Sequence, residues 1–222
     1  SSIFLFILIT VSIPNYTAVA TETTYNVKHL VTQIKKENIY LYYDKKSDDL
    51  LKGFYLKSGD KVQYFYWENV NSPSFYPTIK VINKDYIAIT CTTAKGSGLD
   101  IQELYLINKK TLEKINITSP IDVVKSNVNF DLITPLVSVK IDNKIWFDSY
   151  EDIESDNFFK NVVYENVIKY DVQNIFFTAT LAAQISPSTF IGDIIISYYF
   201  NQEQNTFVPQ YINFNFNRTP IY

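Results

Sequence analysis

Asp148, Glu151, Asp152, Glu154 and Asp156 crowd into one stretch, DSYEDIESDN, and offer hard oxygen ligands. Calcium takes roughly six to eight such oxygens, so Asp148, Glu151 and Asp152 are where a cation would be sought. The stretch has no apolar period and no glycine for a sharp ligating turn, the pattern of a solvated acidic loop, and no metal is assigned. Asp100 and Glu103 form a second acidic pair. On a strand over Gln102–Asn108, Asp100 and Gln102 point one way and Glu103 the other, so the two acids do not face each other. A glycosidase holds its carboxylates about 5–9 Å apart across a cleft, and only the fold can bring distant partners together. Ser97 lacks the Gly-x-Ser-x-Gly elbow of a nucleophile. Gly96-Ser97-Gly98 without a following helix signals a turn, not a phosphate loop. No catalytic residue and no cofactor is assigned.

Aromatic residues are the remaining candidates. Tyr40, Tyr42, Tyr43, Tyr64, Phe65, Tyr66, Trp67, Phe75 and Tyr76 lie close together in the chain. On strands with a one-sided core, half of them must turn outward. Exposed tyrosine and tryptophan stack on sugar rings or anchor a protein partner. Tyr64, Tyr66, Trp67 and Tyr76 are therefore the candidate ligand-binding residues; the competing role is cross-strand pairing inside a two-layer sheet.

The elements that must position these residues are strands. The chain has 222 residues, 46% hydrophobic and 16% aromatic, with a net charge of −3. That hydrophobicity and weak charge exclude long disorder. A lone arginine, Arg218, and no basic excess argue against nucleic acid as a partner. The single His29 and single Cys91 exclude a histidine–cysteine metal cage and an internal disulfide. Cys91 sits in the alternating run YIAITCTT, so a buried thiol is expected.

Strands are predicted over 39–43, 51–56, 62–67, 78–82, 86–92, 102–108, 112–117, 136–141, 144–148, 162–172, 176–183, 193–200 and 207–216. Hairpin turns are predicted at KSGDK and DNK. Two short helices are expected, Val27–Lys36 and Ile121–Asn127, the latter with Pro120 in its first turn and Ser119 as cap. The fold class is mainly β: antiparallel meander sheets forming a sandwich or an incomplete propeller. Tyr86–Ile117 and Phe176–Phe214 share a strand–loop–strand–turn–strand pattern, so two similar halves meeting near 119–130 are conceivable within one β-rich domain spanning 21–222. Pro187, Phe190 and Gly192 read as a structural corner: Pro187 reverses the chain, Phe190 caps the core, and Gly192 permits a bend or a positive φ.

Ile3 to Ile13 carries no charge and is followed by Pro14-Asn15 and Ala18-Val19-Ala20. This order of apolar run, breaker and small residues reads as a signal segment over 1–20. The run makes about 16 Å of helix, too short for a hydrocarbon layer of roughly 30 Å. No later run approaches a span, so a secreted protein without a stable membrane span is expected.

SPSFYPTIKVINKDYIAITCTTAKGSGLDIQELYLINKKTLEKINITSPIDVVKSNV and AAQISPSTFIGDIIISYYF resemble two blocks of a β-rich domain family in exported proteins of spore-forming Gram-positive bacteria. The same domain is appended to some zinc-metalloprotease β-lactam sensor-like proteins. The resemblance implies export and a β-rich fold, and little chemistry. Where the family carries an acidic, calcium-like loop, this chain has Val81-Ile82-Asn83-Lys84-Asp85-Tyr86, too poor in carboxylates for calcium. Tyr105 stands where the family has a histidine, and no His-Glu-x-x-His is present. The expectation is an exported, non-catalytic domain that binds an envelope glycan, peptide or protein. Two alternatives stand beside it: a carboxylate-dependent hydrolase of envelope polymer, or a structural subunit of a spore or surface layer. A flat aromatic face favours binding, a cleft with facing carboxylates favours hydrolysis, and an unpaired sheet edge favours the structural role.

Overall fold

β-branched and aromatic residues alternate with polar ones through most of the chain, and strands result almost throughout. The computed structural model describes residues 29–217; the expected signal segment, Ser1–Ala20, lies outside them. Of the described residues, strand accounts for 63% and helix, 3-10 turns included, for 9%, so the protein is mainly β. In chain order the strands are β1 (Leu30–Ile34), β2 (Ile39–Lys46), β3 (Leu50–Ser58), β4 (Lys61–Val70), β5 (Thr78–Ile82), β6 (Tyr86–Gly96), β7 (Leu99–Asn108) and β8 (Lys114–Ile115). After helix α1 (Pro120–Asn127) come β9 (Val128–Ile133), β10 (Leu136–Ile141), β11 (Lys144–Ser149), β12 (Val167–Val172), β13 (Phe176–Ser186), β14 (Thr189–Asn201) and β15 (Thr206–Phe216).

Three sheets form. β1 to β4 make a four-stranded meander and β9 to β11 a three-stranded one; the large sheet runs β15-β14-β13-β12-β7-β6-β5, with β8 beside β7. One ladder is parallel: β12 meets β7 through Val167↔Asp100 and Ile168↔Ile101. That contact splices the meanders β5–β7 and β12–β15 into one sheet, while the segments Tyr86–Ile117 and Phe176–Phe214 fall on β6–β8 and β13–β15.

The large sheet is the middle layer. Along β6 and β7, Tyr86, Ala88, Leu104 and Leu106 enter one core, while Ile87, Ile89, Tyr105 and Ile107 enter the other. Burial on both faces explains the nearly unbroken apolar runs of these strands. The first core packs β13 and β14 (Phe177, Leu181, Ile194, Tyr198) against Val124 of α1 and Val139 of β10. The second packs Ile39, Leu41, Phe54, Leu56 and Trp67 of the N-terminal sheet against Ile89 and Cys91.

Several local expectations are corrected. The helix predicted over Val27–Lys36 is, in its described part, strand β1 followed by a 3-10 turn at Lys35–Glu37 that ends at Asn38 with φ 55°. A helix that short is marginal alone, whereas pairing Gln33↔Tyr40 and Ile34↔Ile39 satisfies its backbone groups. The strand predicted over 112–117 shrinks to β8, because buried Leu112 adopts φ 62° at the turn. The one predicted over 162–172 begins at Val167, with Val163 making only an isolated bridge to Gln184. Helix α1 forms as expected, but Ser119 makes no side-chain cap; its carbonyl accepts from the Val123 N–H at 3.0 Å.

The turn Pro187-Ser188 joins β13 to β14 through the pair Ser186↔Thr189. Phe190 is only half-buried and does not cap the core; its neighbour Ile191 is the residue with no exposure. Gly192 has no positive φ. It is needed for a close approach: a Cβ there would lie 2.7 Å from the Phe214 ring and closer still to the Asn215 carbonyl.

Candidate functional site

The hairpin β3–β4 turns at Gly59-Asp60, with Ser58 opposite Lys61. Counting back equally from that turn places Tyr55 opposite Tyr64, and β2 adds Tyr42 opposite Tyr55. A row of three tyrosines thus crosses three adjacent strands, which lie roughly 4.8 Å apart. Because Ile39, Leu41, Leu56 and Trp67 fill the inner face, the row lies on the outer one. Tyr40 and Tyr66 extend it at its two sides.

The rings contact one another. Tyr55 and Tyr64 lie 4.9 Å apart at 57°, Tyr64 and Tyr66 lie 4.9 Å apart edge to face, and Tyr40 stacks on Tyr42 at 6.4 Å. Such offset and edge-to-face pairs hold side chains in place. Tyr66 is 89% exposed. Gly53 is what lets Tyr64 lie down. It sits at the bulge between Lys52 and Phe54 with φ +67°, and the Tyr64 ring and hydroxyl fill the space a side chain there would take. Burial, followed by the charge of Asp44, holds the Tyr64 phenol above its ordinary pKa.

Charges of both signs frame the face. Lys52 and Glu68 pair at 2.9 Å, and the Lys57 ammonium lies 5.8 Å from the Tyr40 ring centroid. The face therefore combines flat apolar surface, phenolic hydroxyls and mixed charges, which suits a neutral polyhydroxylated ligand better than a strongly charged one.

The sequence candidates divide accordingly. Tyr64 and Tyr66 are on this face. Trp67 is not: it points inward, 7% exposed, stacked between Phe65 at 4.1 Å and Tyr105 at 4.3 Å. Tyr76 is also elsewhere, packed at the rim of the second core with its hydroxyl donating to Asn71 Oδ1 at 3.4 Å. Residue type selected Trp67, but strand parity sets it opposite Tyr64 and Tyr66. Gly53 and Tyr55 share this face although neither is in the sequence cluster, and Tyr42 is in that cluster but not among the four candidates. The signal for Tyr55 was the equal distance of Tyr55 and Tyr64 from the KSGD turn.

The acidic candidates do not gather. Among the described residues no three histidine, cysteine, aspartate or glutamate side chains converge on a metal position. Asp148 accepts from the Ser149 N–H at 2.8 Å, and Glu151 accepts from the Ser149 hydroxyl at 3.4 Å, so both serve their own loop. Asp152 and Glu154 line a hollow of about 590 Å³ with Ser186, Pro187, Ser188 and Thr189. Both acids come from one segment of the lining, and the other segment, Ser186–Thr189, carries hydroxyls and no carboxylate.

Asp100 is held by Lys95 at 2.6 Å and Lys169 at 3.1 Å. Burial alone would raise its pKa, but the hydrogen bonds and charges of the two lysines bring it below the ordinary value. Glu103 accepts a short hydrogen bond from the Tyr105 hydroxyl, and burial with that bond drives the phenol pKa up. Burial also raises the Cys91 thiol far above its ordinary pKa, leaving it inert. No family model, curated protein or solved structure matches the chain.

Proposed function

We propose that the protein is an exported, non-catalytic domain that binds a glycan of the cell envelope through the outer face of its N-terminal sheet. The observation that carries this reading is the cross-strand row Tyr42–Tyr55–Tyr64, flanked by Tyr40 and the open ring of Tyr66. Pyranose rings present an apolar C–H face and a rim of hydroxyls. Tyrosine rings stack on the first and their hydroxyls, with Lys52, Glu68 and Asp44, hydrogen-bond the second. The contacts among the rings mean that few rotamers are left to freeze on binding, which favours affinity. The apolar run and small residues within 1–20, and the resemblance to exported domains, support the envelope as the place of action.

The hydrolase reading has less behind it. Asp100 is neutralised by two lysines, and the acids lining the 590 Å³ hollow both come from one loop. The test is co-sedimentation of the purified protein with insoluble envelope polysaccharide. Wild type is expected to pellet with the polymer and Tyr55→Ala with Tyr66→Ala to stay in solution. Equal pelleting of both, or release of soluble sugar by the wild type, would refute the proposal.

A further inference from the structure

β15 ends the large sheet, with β14 as its only strand partner among the described residues. Its hydrogen-bond phase follows from one contact: the Asn217 N–H donates to the Ile191 carbonyl at 3.0 Å. Stepping back by twos, Asn215, Asn213 and Tyr211 direct their backbone groups to β14, while Phe216, Phe214 and Ile212 direct theirs to the open edge.

Sheet edges are normally blunted by charge, shortness or proline. β4 carries Lys61 and Glu68, β9 carries Asp131, and β11 carries Lys144 and Asp148; β1 and β5 have 5 residues each. β15 has 11 residues, and no side chain from Gln204 to Asn217 is charged. Within the strand the guard is Pro209, beside the register shift opposite Ser197 and Tyr198; β10 packs against β15, and Trp146 of β11 lies on Phe214. Among the described residues no strand pairs with the outer edge of Gln210–Phe216.

We infer that this edge joins two copies of the chain, pairing β15 antiparallel with its counterpart about a two-fold axis at Asn213. The strand is complementary to itself in this register. Ile212 and Phe214 each face the other's position in the second copy, and all of the edge-directed backbone groups in that span find partners. On the solvent face Asn213 meets the partner's Asn213, an amide that both donates and accepts, and Tyr211 meets the partner's Asn215. No like charges oppose one another. A two-fold contact of this kind closes on itself and makes a dimer, not a fibre.

The register makes the test specific. A non-hydrogen-bonded antiparallel pair sets its Cα atoms about 4.5 Å apart, within disulfide range, and Cys91 is buried. Asn213→Cys should therefore cross-link into a covalent dimer under mild oxidation. Tyr211→Cys should not, because the two copies of that position are four residues out of register, roughly 13 Å apart. Asn213→Lys, on the exposed face, should keep the circular dichroism spectrum and convert the dimer to monomer in sedimentation velocity. A wild-type protein that is monomeric at every concentration, equal cross-linking of the two cysteine variants, or a dimer unaffected by Asn213→Lys would each overturn the inference.

Discussion

The hydroxyl of Tyr64 occupies the position from which a side chain on Gly53 would grow, with Tyr64 Cζ only 2.8 Å from that point. Two demands meet at Gly53: a left-handed φ of +67° and room for a ring above the backbone. Gly53→Ala should thus cost about 1–3 kcal/mol of stability from backbone strain alone. It should also weaken glycan binding by lifting Tyr64 off the face. Urea unfolding and a binding isotherm on the same variant measure the two effects separately.

Trp67 and Tyr66 are neighbours with opposite tasks. Trp67 locks the N-terminal sheet to the large sheet through its stack on Tyr105. Trp67→Ala should cost about 3–5 kcal/mol. Tyr66→Ala, at an exposed position, should change stability by less than about 0.5 kcal/mol while reducing binding. Denaturation curves showing the reverse order would mean that the faces of β4 are wrongly assigned.

At the corner after Pro187, the deep position belongs to Ile191. Ile191→Ala is expected to cost about 2–5 kcal/mol. Phe190→Ala should cost roughly 1–2 kcal/mol, since only part of the ring leaves water. Chemical denaturation of the pair ranks them directly.

Asp100 and Asp193 should act on stability with opposite signs. The folded pKa of Asp100 is depressed, so its contribution is present above the unfolded value of about 3.9 and is lost as pH falls through the folded value. The folded pKa of Asp193 is raised by burial, which Lys169 only partly offsets. Its contribution is present below the unfolded value and lost as pH rises through the folded one. At pH 7 Asp100→Asn should therefore destabilise and Asp193→Asn should not. The Asp100→Asn deficit should shrink toward zero as pH falls below about 4. Unfolding midpoints between acid and neutral pH check both signs.

Much of this architecture is legible in the sequence where alternation is undisturbed. YIAITC and ELYLIN announce strands buried on both faces, while KSGDK and DNK mark the β3–β4 and β10–β11 hairpins. Legibility fails where the ladder slips. Register shifts at Ala183/Gln184 and Gln184/Ser186 bury both Gln184 and Ile185 and carry Phe190 off the core. Counting by twos across that corner cannot succeed. At β1, apolar residues four apart fit a helix as well as a strand, and the decision comes from β2, which offers its edge. On the outer face of the N-terminal sheet, parity separates Tyr64 and Tyr66 from Trp67, but the row itself depends on pairing three strands, and only Tyr55↔Tyr64 could be counted from a turn. The splice of β12 onto β7 has no local signal, being a contact between residues far apart in the chain.

Ligand contact at the outer face of β2–β4 can be read residue by residue in a titration of the isotope-labelled protein with soluble oligosaccharides from envelope polysaccharide, following amide and tyrosine ring resonances. Saturable shifts are expected only at Tyr40, Tyr42, Gly53, Tyr55, Tyr64 and Tyr66 with their immediate neighbours, abolished by Tyr55→Ala. Shifts centred instead on Asp152, Glu154 and Ser186–Thr189, or no shift with any envelope oligosaccharide, would contradict it.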